Sequence, residues 1–586
     1  MSDSAAALSA PQEARGEKRP YSNGQKSNQG KRGPQHKKQK KKEKQGTEGS
    51  NEEVLLIDIQ NLLKKHSLQD KLPNQENGVS KTDPKTSAPL PESLSEIELT
   101  ISELSSTGDS LAYDEATKRA YIVPFSVPGD VVLAKIIRHQ HNPPRSITDF
   151  IKVIKPSAKR DDSLIKCPYF ASCSGCQFQM MAYPDQLAHK RRIVEKAFQN
   201  FSNLDPALVP AVGDTIGSPL EYGYRTKLTP HFDGPPSGRR DRRNGVKVTW
   251  PEIPPIGFMK KGTRHTIDIE DCPIGTDAVR MGMRRERKRV TETIDTYSRG
   301  ATVLLRESTT RIPKDDPQLN EKTEPNPDII FEDRGPHIHA KKCITDSNAT
   351  STEYINDFQF ENPAGSFFQN NNSILPIFTD YIRSHILPPS PPETETSPSP
   401  KITNLIDAYS GSGLFTITLS ALFKSSIGID ISPQSITSAS KNLTLNNIPT
   451  TQAKFIAADA TNLFASITFL ASETVVVIDP PRKGCDQDFL TQLLRYGPER
   501  VVYVSCNVHT QARDVGILVG GIEGVEVGDV RYDIESLRGF DFFPQTGHVE
   551  GVCVLSKRKA VGADHKEDID VGEVRGKADA ANQTST

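Results

Sequence analysis

No stretch of this chain approaches the about 18 consecutive apolar residues that would cross a bilayer, and no short apolar segment of the signal-peptide kind stands near its start. The sequence therefore predicts a protein that neither spans a membrane nor is secreted. Apolar residues make up only 35% and there is a single Trp, too little to bury all 586 residues. The 43 prolines and 39 glycines fit long segments outside any core. Cysteine is scarce as well. Eight in this length, three of them bunched, do not resemble a disulfide framework and point instead to thiols kept reduced for metal binding or catalysis. Net charge is also missing: at −1 the whole chain gives no electrostatic argument for nucleic acid, so only local patches can.

One such patch is at the start. Residues 1–50 hold 12 Lys and Arg against 5 Asp and Glu, a net +7 that leaves −8 for the rest. Residues 1–92 are rich in Ser, Gln, Gly, Pro and Lys and read as a disordered basic tail, with Lys37–Lys42 its densest run. That run suits a nuclear address or a nonspecific RNA tether, and equally a solvated tail. An amphipathic helix over Glu52–Lys65 interrupts it, through Val54, Leu55, Ile59, Leu62 and Leu63.

From 93 to 157 short alternating runs separated by Gly108, Pro128-Gly129-Asp130 and Asn142-Pro143-Pro144 predict a small β-barrel. The words SSTGDSLAYDEATKRAYIVPFSVPGDVVLAKI and KPSAKRDD resemble the TRAM domain, an oligonucleotide-fold RNA-binding module. A mixed region, 158–360, follows. It opens with Cys167, Cys173 and Cys176 in C-x5-C-x2-C spacing, three soft ligands suited to zinc or an iron–sulfur cluster. Cys272 is the natural fourth and Cys343 its rival; spacing does not choose the metal. Arg225, Lys227, Lys260, Lys261 and Arg264 lie on expected antiparallel strands, and Arg284–Arg289 on an expected helix, as offers to an RNA backbone. Residues 311–350 and the Pro-rich 387–401 read as irregular, and 558–586 as a disordered acidic tail.

The last large region, 361–557, is α/β in pattern. Asn404–Ile406 runs into Asp407-Ala408-Tyr409-Ser410-Gly411-Ser412-Gly413, then a helix, then a strand ending at Asp430. Thr416 replaces the third glycine of a dinucleotide fingerprint, so the loop better suits a ligand without phosphates, such as S-adenosylmethionine, with Asp430 for the ribose and Asp459 for the adenine edge. Two β-branched runs, Val475–Ile478 and Val501–Val504, end in Asp479-Pro480-Pro481-Arg482 and Ser505-Cys506-Asn507. Both polar motifs fall at the carboxyl ends of expected parallel strands, where open α/β sheets place ligands. Cys506 is there a candidate nucleophile.

Together AGSFFQNN (364–371), DAYSGSGLF (407–415), GIDIS (428–432), IDPPRKGCD (478–486), VSCN (504–507) and FPQTGHVE (543–550) resemble the RNA uracil-C5 methyltransferases, over about residues 95–556. The resemblance implies an α/β, Rossmann-like class I methyltransferase domain with an N-terminal TRAM/OB-fold barrel and a mixed central domain. It implies S-adenosylmethionine held by Gln369, Tyr409, Asp430 and Asp479, Cys506 as nucleophile and Glu550 as general base, with His548 the rival base. It also matches Cys167, Cys173, Cys176 and Cys272 to the family's [4Fe–4S] ligands, which favours iron–sulfur over zinc. Departures are Ser410, Asp430, Val508 and Gly547, where the family often has Cys, Glu, Pro and His; none removes a reacting group. Cys485 and Cys553 read as packing residues. The implied partner is RNA, with uridine 54 of the tRNA T-loop favoured and ribosomal RNA the alternative. The implied protein is a monomer in nucleus or cytoplasm. Two contrasting readings are an amino-methyltransferase, against which Arg482 stands where an aromatic residue would follow Pro481, and an RNA-folding scaffold indifferent to Cys506 and Glu550.

Overall fold

Alternation at period two decides the main sheet. Val475 and Val477 turn to one hydrophobic core while Val476 and Ile478 turn to another, and all four are fully buried. A strand covered on both faces has to read as a continuous apolar run, which this one does. Each such side chain contributes roughly 1.5–3 kcal/mol by leaving water. The computed structural model describes residues 48–69, 88–388, 401–458, 463–464, 467–522 and 530–558. The Lys37–Lys42 run, most of the Pro-rich insertion, the C-terminal tail and Asp459 lie outside the described residues.

The sheet has eight strands: β1 (Gly213–Ile216), β2 (Asn404–Ala408), β3 (Ser425–Asp430), β4 (Ala453–Ala457), β5 (Thr474–Ile478), β6 (Arg500–Ser505), β7 (Tyr532–Phe540) and β8 (Glu550–Lys557). Their order is β4-β3-β2-β5-β6-β8-β7-β1. Strands β4 to β6 are parallel, and β8 inserts antiparallel between β6 and β7. Helices Tyr183–Phe201, Gln487–Tyr496 and Val508–Gly520 cover one face; Leu375–His385, Leu414–Leu419 and Pro433–Leu445 cover the other. From β2 the chain winds to β3 on one side and later to β5 on the other, so a crevice opens between the carboxyl ends of β2 and β5. The edge strand β1 comes from far upstream, parallel to β7, a pairing that no local pattern announces.

Over Glu96–Lys155 six strands form a second sheet. Its two edges, Glu96–Thr100 and Glu103–Leu104, are pieces of one segment broken only at Ile101 and Ser102. Ile101 N donates to Asp130 O and Ser102 N to Leu111 O, so the sheet closes on itself as a barrel. The helix expected over Glu52–Lys65 spans Asn51–Gln69 and is no interlude in a free tail. Ile59 and Leu62 are buried against barrel residues Leu111, Ala120 and Ile122, and Val54 joins the core beneath the main sheet.

One expectation for the middle of the chain is corrected. Residues 311–350 are not irregular: Leu305–Pro313, Ile329–Arg334 and His337–Ile344 pair antiparallel, the last two about a tight turn at Gly335. Their half-buried faces carry too weak an alternation to be read. The Arg284–Arg289 run lies on a helix as expected, with Arg284, Lys288 and Arg289 exposed, and each of its cations has an acidic neighbour in its own region. Arg284 faces Asp271, Arg285 Asp328, Arg287 Asp268 and Arg289 Glu286, while Lys288 faces Glu292. Arg225, Lys227 and Lys261 also have internal partners, in Phe543, the carbonyls of Gly365 and Ser366, and Asp109; Lys260 and Arg264 remain exposed. No helix among the described residues is long and apolar enough to cross a membrane.

Candidate active site

A cavity of about 760 Å³ lies at the β2/β5 crevice, and Gln369, Tyr409, Asp430, Asp479, Cys506 and Glu550 all line it. Strand ends explain the meeting. Tyr409, Asp479 and Cys506 are each the first residue beyond a parallel strand, and Asp430 is the last residue of β3. Glu550 opens β8, whose antiparallel register sets Gly551 opposite Ser505. One step further along that ladder, Cys506 and Glu550 come side by side at the cavity wall.

The glycine turn is built for close approach. Tyr409 bends the chain away from β2 at φ 63°, a conformation uncommon outside glycine. Gly413 follows at φ 92°, and a Cβ there would come within 2.7 Å of Phe455. The Asp430 carboxylate accepts from Gly411 N at 3.0 Å and from Ser432 N at 2.8 Å, which fixes it at the rim. Beneath the turn Asp407 accepts from Thr416 N and Oγ1, so the residue that replaces the third glycine anchors the strand to the following helix. Gln369 presents a side-chain amide to the cavity with no hydrogen-bond partner among the described residues. Its loop is held from behind, where Asn371 Nδ2 donates to Ser218 Oγ and Phe542 O.

Electrostatics separate the roles at the other end. Burial, the neighbouring Asp479 and the absence of a full counter-charge push the Glu550 carboxyl up to about 8; Arg482 opposes the rise. Burial and Asp407 push Asp479 up to about 7. Burial, Glu550 and Asp479 raise the Cys506 thiol to about 12, against the pull of Arg482, which hydrogen-bonds to it. Cys506 also stands two residues before the first turn of helix Val508–Gly520, whose N-terminus favours a thiolate. His548 is engaged elsewhere: its Nε2 accepts from Arg482 at 3.0 Å, and burial with Arg482 lowers it to about 4. The rival base is thus already a hydrogen-bond acceptor for a cation, and Glu550 holds the position at the cavity.

Arg482 and Phe367 had no assigned role in the sequence, yet both line the cavity. Arg482 hydrogen-bonds to Cys506 and acts on Glu550 through its charge. Its only signal was a cation directly after paired prolines. Phe367 is 78% exposed at the wall, and a large ring left in water beside Gln369 marks a surface for a flat ligand.

Cys167, Cys173, Cys176 and Cys272 line a second cavity, of about 220 Å³, with Arg225 and Tyr169. Burial raises all four thiols, Cys176 to about 12. Cys343 does not reach this cavity; it is buried against Gly282 and Leu305. Among the described residues no three His, Cys, Asp or Glu side chains are grouped as a single metal ion requires. Cys485 and Cys553 are buried packing residues.

The sequence model for tRNA (uracil-5-)-methyltransferases matches residues 393–558. The tRNA (uracil(54)-C(5))-methyltransferase of Schizosaccharomyces pombe is 43% identical over 87% of this chain and 84% of its own length. That of Saccharomyces cerevisiae is 38% identical over 78% of this chain and 72% of its own. The crystal structure of Pyrococcus abyssi tRNA (uracil-54, C5)-methyltransferase in complex with S-adenosyl-L-homocysteine shares the fold, with a TM-score of 0.51 at 22% identity over 78% of this chain and all of that one. With two such relatives matching across most of its length, this chain belongs to the tRNA (uracil-5-)-methyltransferase family.

Proposed function

We propose that this protein methylates C5 of a uridine in tRNA, position 54 in the T-loop, with Cys506 as nucleophile and Glu550 as base. The observation that carries the reading is the juxtaposition of that thiol and that carboxyl in one cavity with the glycine turn. The relatives' shared substrate directs it to uridine 54.

The cavity's donor set fits S-adenosylmethionine: a close-approach turn at Gly411 and Gly413, a fixed carboxylate at Asp430 for ribose hydroxyls, and a ring at Tyr409. When bound, that group supplies an electrophilic methyl. Uracil C5 is too weak a nucleophile to take it unaided. Cys506 adds to C6, a carbon–sulfur bond forms, and the displaced electron pair gathers on C5 and O4, so that C5 can accept the methyl. Arg482 favours the reacting thiolate by hydrogen bond and charge, against the burial and carboxyl groups that raise the thiol. Glu550 then removes the C5 proton, and return of that electron pair breaks the bond to Cys506. A base stacked in a duplex offers neither face, so the uridine must be flipped into the cavity. Phe367 stands ready for its ring, while the free amide of Gln369 is left for the cofactor.

Cys167, Cys173, Cys176 and Cys272 would hold a [4Fe–4S] cluster: four soft thiols face one shared hollow, without the tight convergence of a single-ion site. The cluster would tie four points of the central region together. Iron and sulfide analysis of anaerobically purified protein tests it.

The deciding experiment is incubation of a tRNA transcript with labelled cofactor, with the modified nucleotide mapped. Cys506→Ala should abolish both methylation and covalent RNA capture, and Glu550→Gln should accumulate the covalent complex. Methylation at wild-type rate by Cys506→Ala would end the proposal.

A further inference from the structure

Gln177 follows the last of the three bunched cysteines, and two separate parts of the molecule, the 545–547 stretch and a turn of the barrel, converge on it. Its backbone N donates to Gln545 O at 2.7 Å. Its side-chain Oε1 accepts from Gly547 N at 2.9 Å, and its Nε2 donates to Thr107 O, in a turn of the barrel, also at 2.9 Å. Nothing at this junction is loose. A Cβ on Gly108 would come within 2.4 Å of Gln177 Nε2, and a Cβ on Gly547 within 3.1 Å of Gly108 Cα. A side chain at 547 would press on the barrel backbone, so glycine fits closely there. Gln545 is held at φ 70° by reciprocal bonds with Gln186, whose Oε1 accepts from Gln545 N and whose Nε2 donates to Gln545 Oε1. The stretch so gripped, 545–547, runs directly into Glu550.

We infer that Gln177 is a positioning residue: it sets the approach of Glu550 through Gly547 and joins that setting, through Thr107, to the seating of the barrel on RNA. The inference rests on the reading of Glu550 as the base. The two ends of the side chain do different work. The acceptor end orders the loop that carries the base, and the donor end holds the barrel turn in register with it. Cys176, one residue away, lines the cysteine cavity, so the same joint is anchored on the central region.

Two variants separate the ends. Gln177→Glu keeps an acceptor for Gly547 N but cannot donate to Thr107 O; Gln177→Met fills the space and does neither. With a tRNA transcript and S-adenosylmethionine, Gln177→Met should lower kcat by about tenfold or more and leave covalent protein–RNA complex on a denaturing gel, because C5 deprotonation is the slowed step. Gln177→Glu should keep kcat within about threefold and raise KM for tRNA by a similar or larger factor than it lowers kcat. Wild-type kcat and no retained complex in Gln177→Met would overturn the inference. So would an equal fall in kcat for both variants with no retained complex, the mark of general loosening. If Gln177→Met fails to fold, Gln177→Glu decides alone: a raised KM at near-normal kcat supports the inference, and lost kcat at normal KM overturns it. Failure of the wild-type protein to methylate tRNA or to form any complex in the same assay would instead overturn the function on which it rests.

Discussion

The side-chain amide of Asn507 donates to the carbonyl of Arg482 at 2.9 Å and to that of Gly49 at 3.1 Å. One residue thus pins the loop after β6, which carries Cys506, to the loop after β5, which carries Asp479, and to the segment leading into the first helix. Its Oδ1 meanwhile caps helix Val508–Gly520 by accepting from His509 N.

Asn507→Asp separates these duties, because a carboxylate still caps but cannot donate. Loss of the tie should cost about 1–2 kcal/mol of stability, as acceptors are left facing a like partner. It should also lower kcat by roughly tenfold through displacement of Arg482. Urea unfolding and steady-state kinetics on tRNA check the two effects.

The pH dependence follows from Glu550. Its carboxyl titrates at about 8 in the fold against an ordinary 4.5, and only the ionised form can take the C5 proton. Breakdown of the covalent complex should therefore quicken about tenfold per pH unit at low pH and level off near 8. Stability runs the other way. The raised value favours the protonated carboxyl, so folding bears no penalty below 4.5, a growing one through the window, and the whole of it above about 8. Glu550→Gln should match the parent at acid pH and exceed it at pH 8 by on the order of a few kcal/mol, as thermal melts would record.

Lys190 and Asp541 form an ion pair with no solvent exposure, and Lys190 Nζ also donates to Phe543 O at 3.0 Å. Lys190→Met strands a buried carboxylate and should destabilise by about 3–5 kcal/mol. Adding Asp541→Leu to it should recover most of that loss. A loss in the double variant equal to the sum of the two single losses, measured by urea unfolding, would show that the pair is not coupled.

The two rival fourth cysteines differ in what their loss should remove. Cys272→Ala should lower bound iron in anaerobically purified protein and bleach any visible absorbance. Cys343→Ala should keep the iron and cost only packing, about 1 kcal/mol for a small buried group.

Much of the candidate site was legible because its residues sit at strand ends, and strand ends can be read from apolar runs. Asp479 and Cys506 follow β-branched stretches, and Asp430 ends another. What escaped reading depends on partners remote in sequence. The strand Gly213–Ile216 is four residues long and gains its place only by pairing with β7. The arginines of helix Asp277–Glu292 read as a bare basic run, because the carboxylates beside them, Asp268, Asp271 and Asp328, come from other elements. Gln177 is an ordinary polar residue in a loop, and its importance lies wholly in what folds against it.

The first helix bears on how this protein can be trimmed. Shortening the chain to the point where low-complexity composition ends, at 92, would also delete Val54, Ile59 and Leu62, each at most 3% exposed, and Asp58, which accepts from Ser106 N and faces Lys196. Such a fragment would show a bare apolar scar along the seam between barrel and sheet, and beside it a lysine left with Glu103 alone. Its weakness would be stickiness and misalignment of two bodies, although every reacting side chain would still be present.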